Sequence, residues 1–286
     1  MKPYKNQGPI RLVVADVDGT LVTQEKVLTA KTKEAVRQLT AAGIAFAITS
    51  GRPPRGMQTV IKDVNLSTVV AGFNGGVYTT AKLDPIVMRD LPRDAAARSI
   101  ELIEEHDLVA WLYTDTVWYV QDPKGPHVDR ESRTVGFGPE VTSDYSAYVA
   151  QTAKIVGVSD DLEAVAACEK KIQQELGDHV SAARSQPYYL DITHPAANKG
   201  SVVDFLSAIY LIPSSSIVTL GDMPNDVLMF KKSGMSIAMG NASKEVQAEA
   251  NFVTDSNEEE GFAQAIERFV LNQTSISLLS SSSCPI

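Results

Sequence analysis

The chain is short of cysteine, short of basic charge and free of long apolar runs, and each shortage removes a class of protein. Two cysteines, Cys168 and Cys284, in 286 residues cannot build a disulfide framework, and their scarcity fits a reducing compartment. Lys and Arg number 26 against 35 Asp and Glu, a formal net charge of −9. The densest basic clusters, Lys170-Lys171 and Lys231-Lys232, are pairs that suit solvated helix faces, and no basic stripe of the kind a duplex or anionic membrane requires is visible. Nucleic acid and membrane are therefore not expected as partners. An anionic substrate would have to find its positive charge locally, in a few Lys or Arg side chains or a metal. No apolar run approaches membrane-spanning length, and Met1 to Pro9 lacks the apolar stretch of a signal peptide. A cytoplasmic address is expected. Three triplets, Asn65-Leu66-Ser67, Asn241-Ala242-Ser243 and Asn272-Gln273-Thr274, match a glycosylation acceptor and are read as chance. There is no internal repeat.

What is present is an ordinary globular composition, 44% hydrophobic and 21% charged, in a length that admits one large domain or two. Ile10 to Ala15 is a short apolar run, read as a buried strand ending at Asp16. Leu28 to Ala42 has helical spacing through Ala35, Val36 and Leu39, with Thr29 as N-cap and Gly43 as the stop. Ile44 to Thr49 and Thr68 to Gly72 are further strands. This alternation implies a parallel sheet covered by helices.

The rhythm changes near residue 84. Asp94 to His106 reads as a helix and Leu108 to Gln121 as a hairpin around Asp115. Lys154 to Val158 follows as a strand, Asp160 to Leu176 as a long helix and His179 to Thr193 as a second strand pair. Paired strands with interspersed helices indicate an α+β unit with a largely antiparallel sheet. From Lys199 the first rhythm returns, with strands at Ile217 to Leu220 and Ser236 to Met239 and helices at Val202 to Tyr210, Asp226 to Lys232, Lys244 to Ala250 and Glu260 to Val270. The expected architecture is α/β: a Rossmann-like parallel core built from residues 1–83 and 191–271, interrupted by an α+β cap at 84–190. An insert of about a hundred residues is long enough for its own core. The Ser-rich tail, 272–286, is expected to be disordered.

The polar residues that carry chemistry fall where those strands end. Asp16-Val17-Asp18-Gly19-Thr20 follows the first strand, and ligands of open parallel sheets sit beyond the strands' carboxyl ends. Two clustered carboxylates repel unless a divalent cation joins them; the plain alternative is an Asp-Gly turn. Gly221-Asp222-Met223-Pro224-Asn225-Asp226 brings further polar side chains to the end of another strand, although Pro and Asp also suit a helix start. Asp16, Asp18 and Asp222 together would make an oxygen-donor site suited to Mg²⁺. Ser50 ends a third strand, where it could simply cap the next helix, and Lys199 precedes a helix, where an exposed lysine is the ordinary case. The four segments are complementary in type: a carboxylate pair, a hydroxyl, a cation and a metal carboxylate.

In this order, Asp16-Val17-Asp18-Gly19-Thr20, Thr49-Ser50-Gly51-Arg52-Pro53, Asn198-Lys199-Gly200 and Gly221-Asp222-Met223-Pro224-Asn225-Asp226 resemble the four motifs of the haloacid dehalogenase superfamily. The chain is most similar to the Cof-type phosphatases, whose large α/β cap lies between the second and third motifs. Asn74-Gly75-Gly76 stands where such chains approach the cap, and Ser50 replaces the more usual Thr while keeping the hydroxyl. The resemblance implies a Mg²⁺-dependent phosphatase acting on a small-molecule phosphoester, with sugar phosphates the first class to consider. It implies Asp16 as nucleophile, forming an aspartyl-phosphate, and Asp18 as acid and base, reaching the metal through its backbone carbonyl. Asp16 and Asp222 would hold Mg²⁺. Ser50, Lys199 and the N–H groups of Val17 and Gly51 would hold phosphate oxygens, with Asn225 near phosphate or metal and Asp226 orienting Lys199. Hinges are expected near Leu83 to Met88 and Thr193 to Ala197. Trp118, Arg184 and Tyr188 could touch substrate, although packing or surface roles are the simpler readings. Two rivals remain: a phosphomutase of the phosphomannomutase type, and a phosphate-binding module without turnover.

Overall fold

A computed structural model describes residues 8–272; the Ser-rich tail beyond Asn272 and Cys284 lie outside the described residues. The helices and strands in chain order are β1 (Leu12–Asp16), α1 (Ala30–Ala41), β2 (Ala45–Thr49), α2 (Gln58–Asp63), β3 (Val70–Gly72), β4 (Val77–Thr79), β5 (Pro85–Met88) and α3 (Arg93–Glu105). There follow β6 (Val109–Tyr113), β7 (Trp118–Val120), α4 (Val128–Val135), β8 (Glu140–Val141), β9 (Lys154–Val158), α5 (Leu162–Leu176), β10 (Ser181–Gln186) and β11 (Tyr189–Thr193). The chain ends with α6 (Lys199–Tyr210), β12 (Ile217–Gly221), α7 (Val227–Lys232), β13 (Met235–Ala238), α8 (Lys244–Glu249), β14 (Phe252–Val253) and α9 (Gly261–Ala265). Among the described residues no helix is long and apolar enough to cross a membrane.

The chain divides into two compact units. The first runs through Ser50, Thr59–Val70 and from Asn198 onward, and the second takes Gly51–Gln58 and Ala71–Ala197. In the first unit β1 is the central strand. Every residue of Leu12–Asp16 is buried, as a strand covered on both faces requires. It pairs in parallel with β2 on one side and β12 on the other, and β13 and β14 continue the sheet beyond β12. The helix after β1 starts where Thr29 accepts a hydrogen bond from the Thr32 N–H at 3.1 Å and stops before Gly43, whose φ of +74° suits only glycine readily.

The second unit is α+β. Six of its strands form a sheet in the order β10-β11-β9-β6-β7-β8, antiparallel except for the β7–β8 pair. Alternation along the strands builds two apolar layers. Ala110, Leu112, Ile155, Leu190 and Ile192 pack with Leu102 and Ile103 of α3 and Val165, Cys168 and Ile172 of α5. Trp111, Tyr113, Val156 and Tyr189 face the other way, where Trp118 and the α4 residues Val128 and Val135 join them.

Several elements differ from expectation. The bounds 84–190 are too narrow for the second unit because Phe73 and Val77 belong to its aromatic layer, the Phe73 ring lying 5.6 Å from that of Tyr113. The Phe73 N–H also donates to the Arg52 carbonyl at 2.9 Å, which carries residues 51–58 with it. At the other end Arg89 Nη1 donates to the Ala196 carbonyl at 2.8 Å. Leu83 to Met88, expected as a hinge, is largely the strand β5, paired with β4. The unforeseen α4 carries only two buried apolar residues and begins at a left-handed His127 without a side-chain cap, so neither periodicity nor capping marks it in the sequence.

Candidate active site

In the parallel sheet Asp16 is level with Thr49 of β2, and Ala15 with Leu220 of β12. Asp16, Ser50 and Asp222 are therefore brought to the same edge, one residue either way from a common row. All three are buried. From the next loop Asn198 caps α6, its Oδ1 accepting from the Ser201 N–H at 2.9 Å, and this cap sets Lys199 at the first helical position.

Lys199 is a buried cation, 2% exposed. Its Nζ donates to Asp16 Oδ1 at 2.7 Å and to Asp226 Oδ1 at 2.6 Å. The other oxygen of Asp226 accepts from the backbone N–H groups of Asp222 and Met223 at 2.9 and 2.8 Å. Asp226 thus does what an acidic residue at a helix start does and also orients the lysine. The Asp222 carboxylate accepts from the Thr20 hydroxyl at 3.1 Å and from Asn241 Nδ2 at 3.3 Å. Gly19 has a φ of +78°, and a Cβ there would fall on the Asp222 carboxylate, so this turn needs glycine twice over.

The carboxylates of Asp16, Asp222 and Asp226 bring oxygens within 4.8 Å of one another, all three buried. Burial raises the Asp16 pKa well above the usual carboxylate range; Lys199 opposes this, while Asp226 and Asp222 add to it. Asp222 is pushed up to about 6, first by burial and then by Asp226, against Lys199 and the Thr20 hydroxyl. Burial works against the charge on Lys199, but Asp16 and Asp226 outweigh it and hold the amine above its ordinary value. Three carboxylates and one ammonium leave two formal negative charges uncompensated. An all-oxygen donor set with that deficit fits a hard dication such as Mg²⁺.

The structure brings together Asp16, Lys199 and Asp222, with Ser50 on the same edge. The turn after Ser50 is entered at Pro53 without a side-chain cap, so helix capping does not account for the hydroxyl. Val17 is buried, Gly51 opens the second unit, and Asn225 lies exposed on the Pro224–Asp226 turn. The Asp18 carboxylate is not among the clustered acids: its side chain is 32% exposed and pairs with Lys26 at 2.6 Å. Trp118 is packed within the aromatic layer of the second unit, while Arg184 pairs with Glu169 at 2.8 Å and Tyr188 stacks on His127.

Asn241 and Thr20 were not foreseen as site residues. Asn241 donates to both the Gly19 carbonyl and Asp222, and its Oδ1 accepts from the Asn257 N–H at 3.1 Å. Asn241 lies in the loop beyond β13, and nothing in its own triplet marks a contact to Asp222.

Residues 13–266 match the family described as haloacid dehalogenase-like hydrolase. The pyridoxal phosphate phosphatase of Escherichia coli is 28% identical over 267 residues, covering 90% of this chain and 97% of that protein. The 5-amino-6-(5-phospho-D-ribitylamino)uracil phosphatase YcsE of Bacillus subtilis is 25% identical over 95% of this chain and 100% of its own length. Among solved structures, a haloacid dehalogenase-like hydrolase from Bacteroides thetaiotaomicron superposes with a TM-score of 0.84 at 25% identity, covering 91% of this chain and 99% of that one.

Proposed function

The chain belongs to the haloacid dehalogenase-like hydrolases, and from that membership and the buried acidic site we propose that it is a Mg²⁺-dependent phosphatase of small-molecule phosphomonoesters. The observation that carries the reading is the ammonium of Lys199 held between Asp16 and Asp226 inside an acid cluster with a charge deficit of two. Asp16, Asp222 and the backbone carbonyl of Asp18 would hold the dication. When bound it offsets the repulsion between a carboxylate nucleophile and an anionic phosphate.

The chain's own residues divide the reaction as follows. An oxygen of Asp16 attacks phosphorus in line, the bond from phosphorus to the ester oxygen breaks, and Asp18 gives its proton to the departing alcohol. Asp18 then takes a proton from water, the water oxygen attacks phosphorus, and the bond to Asp16 breaks to release phosphate. Lys199 has three N–H donors, two of them used on Asp16 and Asp226, so the third can hold a phosphate oxygen. Ser50 and the Val17 N–H serve the remaining oxygens, where charge accumulates. Asn225, on the turn after Asp222, is assigned a contact to the phosphate or the metal.

The named relatives act on pyridoxal phosphate and on a phosphoribitylaminouracil. These compounds and sugar phosphates form the substrate panel. Phosphate release is measured with Mg²⁺ and again with chelator, on wild type and Asp16→Asn. Mg²⁺-dependent release that the variant lacks is the expected result. Turnover by Asp16→Asn, or release undiminished by chelator, would remove the mechanism.

A further inference from the structure

The loop between β1 and α1 contains a lysine that the chemistry above leaves unused. Residues 23–27 form a tight turn: the Thr23 N–H donates to the Val27 carbonyl at 3.0 Å and the Lys26 N–H to the Thr23 carbonyl at 2.9 Å. The turn is fastened from outside itself. Asn257 Nδ2 donates to the Val22 carbonyl at 2.9 Å, the Gln24 N–H to Glu258 Oε1 at 2.7 Å, and Thr29 Oγ1 to Glu260 Oε2 at 2.6 Å. At its corner Lys26 takes a left-handed φ of 63°. That conformation favours Gly or Asn and penalises a residue with a Cβ and a long side chain. From there Nζ reaches Asp18 Oδ1 at 2.6 Å. With 43% of the Lys26 side chain and 32% of that of Asp18 exposed, such a pair adds little to stability. Neither backbone preference nor fold stability accounts for a lysine here, whereas its ammonium grips the carboxyl that the proposed reaction uses as acid and base.

We propose that Lys26 is a positioning residue for Asp18. The ammonium fixes one carboxyl oxygen and with it the rotamer and plane of the group. The proton is thereby presented to the leaving oxygen as the ester bond breaks, instead of being lost among off-line rotamers. The anchored turn supplies the rigid base from which the lysine does this. The inference rests on the phosphatase reading, and its test separates the two.

Positioning of a general acid matters most where the leaving group cannot depart as an anion. Wild type, Lys26→Met, Lys26→Gly and Lys26→Arg are compared with Mg²⁺ on p-nitrophenyl phosphate, which leaves as a stable phenolate, and on the alkyl esters glycerol 2-phosphate and glucose 6-phosphate. A well-placed general acid contributes about 100-fold or more; losing part of that should lower the alkyl-ester rates of the Met and Gly variants by about tenfold relative to the aryl ester. The loss should sit in kcat with KM little changed, and Arg should restore most of it. The Gly variant, which relieves the left-handed strain, should melt no lower than wild type. Equal losses on both ester types, a loss confined to KM, or no loss at all would overturn the positioning role. Absence of phosphate release by wild type would instead overturn the reading beneath it.

Discussion

If Asp222 is a carboxylate kept ionised for a metal, removing its charge should stabilise the metal-free protein. Burial and the nearby Asp226 carry its pKa from the ordinary 3.8 to about 6. At about 1.4 kcal/mol per unit, ionising it inside the fold costs about 3 kcal/mol at neutral pH. Asp222→Asn removes that cost. The amide keeps an acceptor for Thr20 but turns a donor toward Asn241 Nδ2, at present 3.3 Å away, so a net gain of about 1–3 kcal/mol is the expectation. At about 2–4 °C per kcal/mol for a protein of this size, that is roughly 2–12 °C in Tm.

The pH dependence has a definite sign. Because the folded-state pKa is raised, the folded protein binds the proton more tightly than the unfolded one, and the ionisation penalty is present in full above pH 6. It shrinks as pH falls through 6 toward 4. Melting curves in chelator at pH 7.5 should therefore place Asp222→Asn above wild type, with the gap reduced by about half at pH 5. Added Mg²⁺ should raise the wild type alone, by about 2.7 kcal/mol at a hundredfold excess over Kd, and so close or invert the order. A variant that melts at or below wild type in chelator at pH 7.5, or a gap that does not narrow on acidification, would refute the electrostatic argument.

Two further outcomes follow from the same cluster. Lys199→Met leaves Asp16 and Asp226 buried without their cation, and truncating one member of a buried ion pair costs about 3–5 kcal/mol; urea denaturation should show this loss, together with abolished phosphate release, and an unchanged midpoint would contradict the buried triad. Gly19→Ala forces a Cβ against the Asp222 carboxylate at a positive φ, so calorimetric titration should show weaker Mg²⁺ binding, while wild-type affinity would mean that Asp222 does not bind the ion.

The parallel core was legible because its strands are short apolar runs that stop at polar residues. Leu12 to Ala15 ends at Asp16 and Ile217 to Leu220 stops just before Gly221-Asp222, so strand and site were marked by the same change in composition. Lys199 was legible as a candidate but not as a buried one: nothing local distinguishes it from a surface lysine, and its burial comes from carboxylates 183 and 27 residues away. Asn241 and Thr20 escaped for the same reason, since their roles consist of contacts to Asp222 across the sheet edge. The narrow estimate of the second unit had a different cause. Phe73 and Val77 follow a core strand directly, and only their packing with Tyr113 and Trp118 assigns them to the other unit.

That division explains where charge can and cannot be read in advance. A strand's end is written in the residues that compose it, whereas the ionisation of a carboxylate there depends on what distant chain segments do to its solvation. Asp16 and Asp18 stand two residues apart in an unbroken acidic motif, yet one is buried against Lys199 and the other is open to water and held by Lys26. In the proposed reaction, burial suits the first to bear a metal and a phosphoryl group, while exposure and the hold of Lys26 suit the second to exchange protons in alternating directions. The difference in role proposed for two identical side chains is thus a difference in their surroundings, set by a buried helix N-terminus in one case and a strained surface turn in the other.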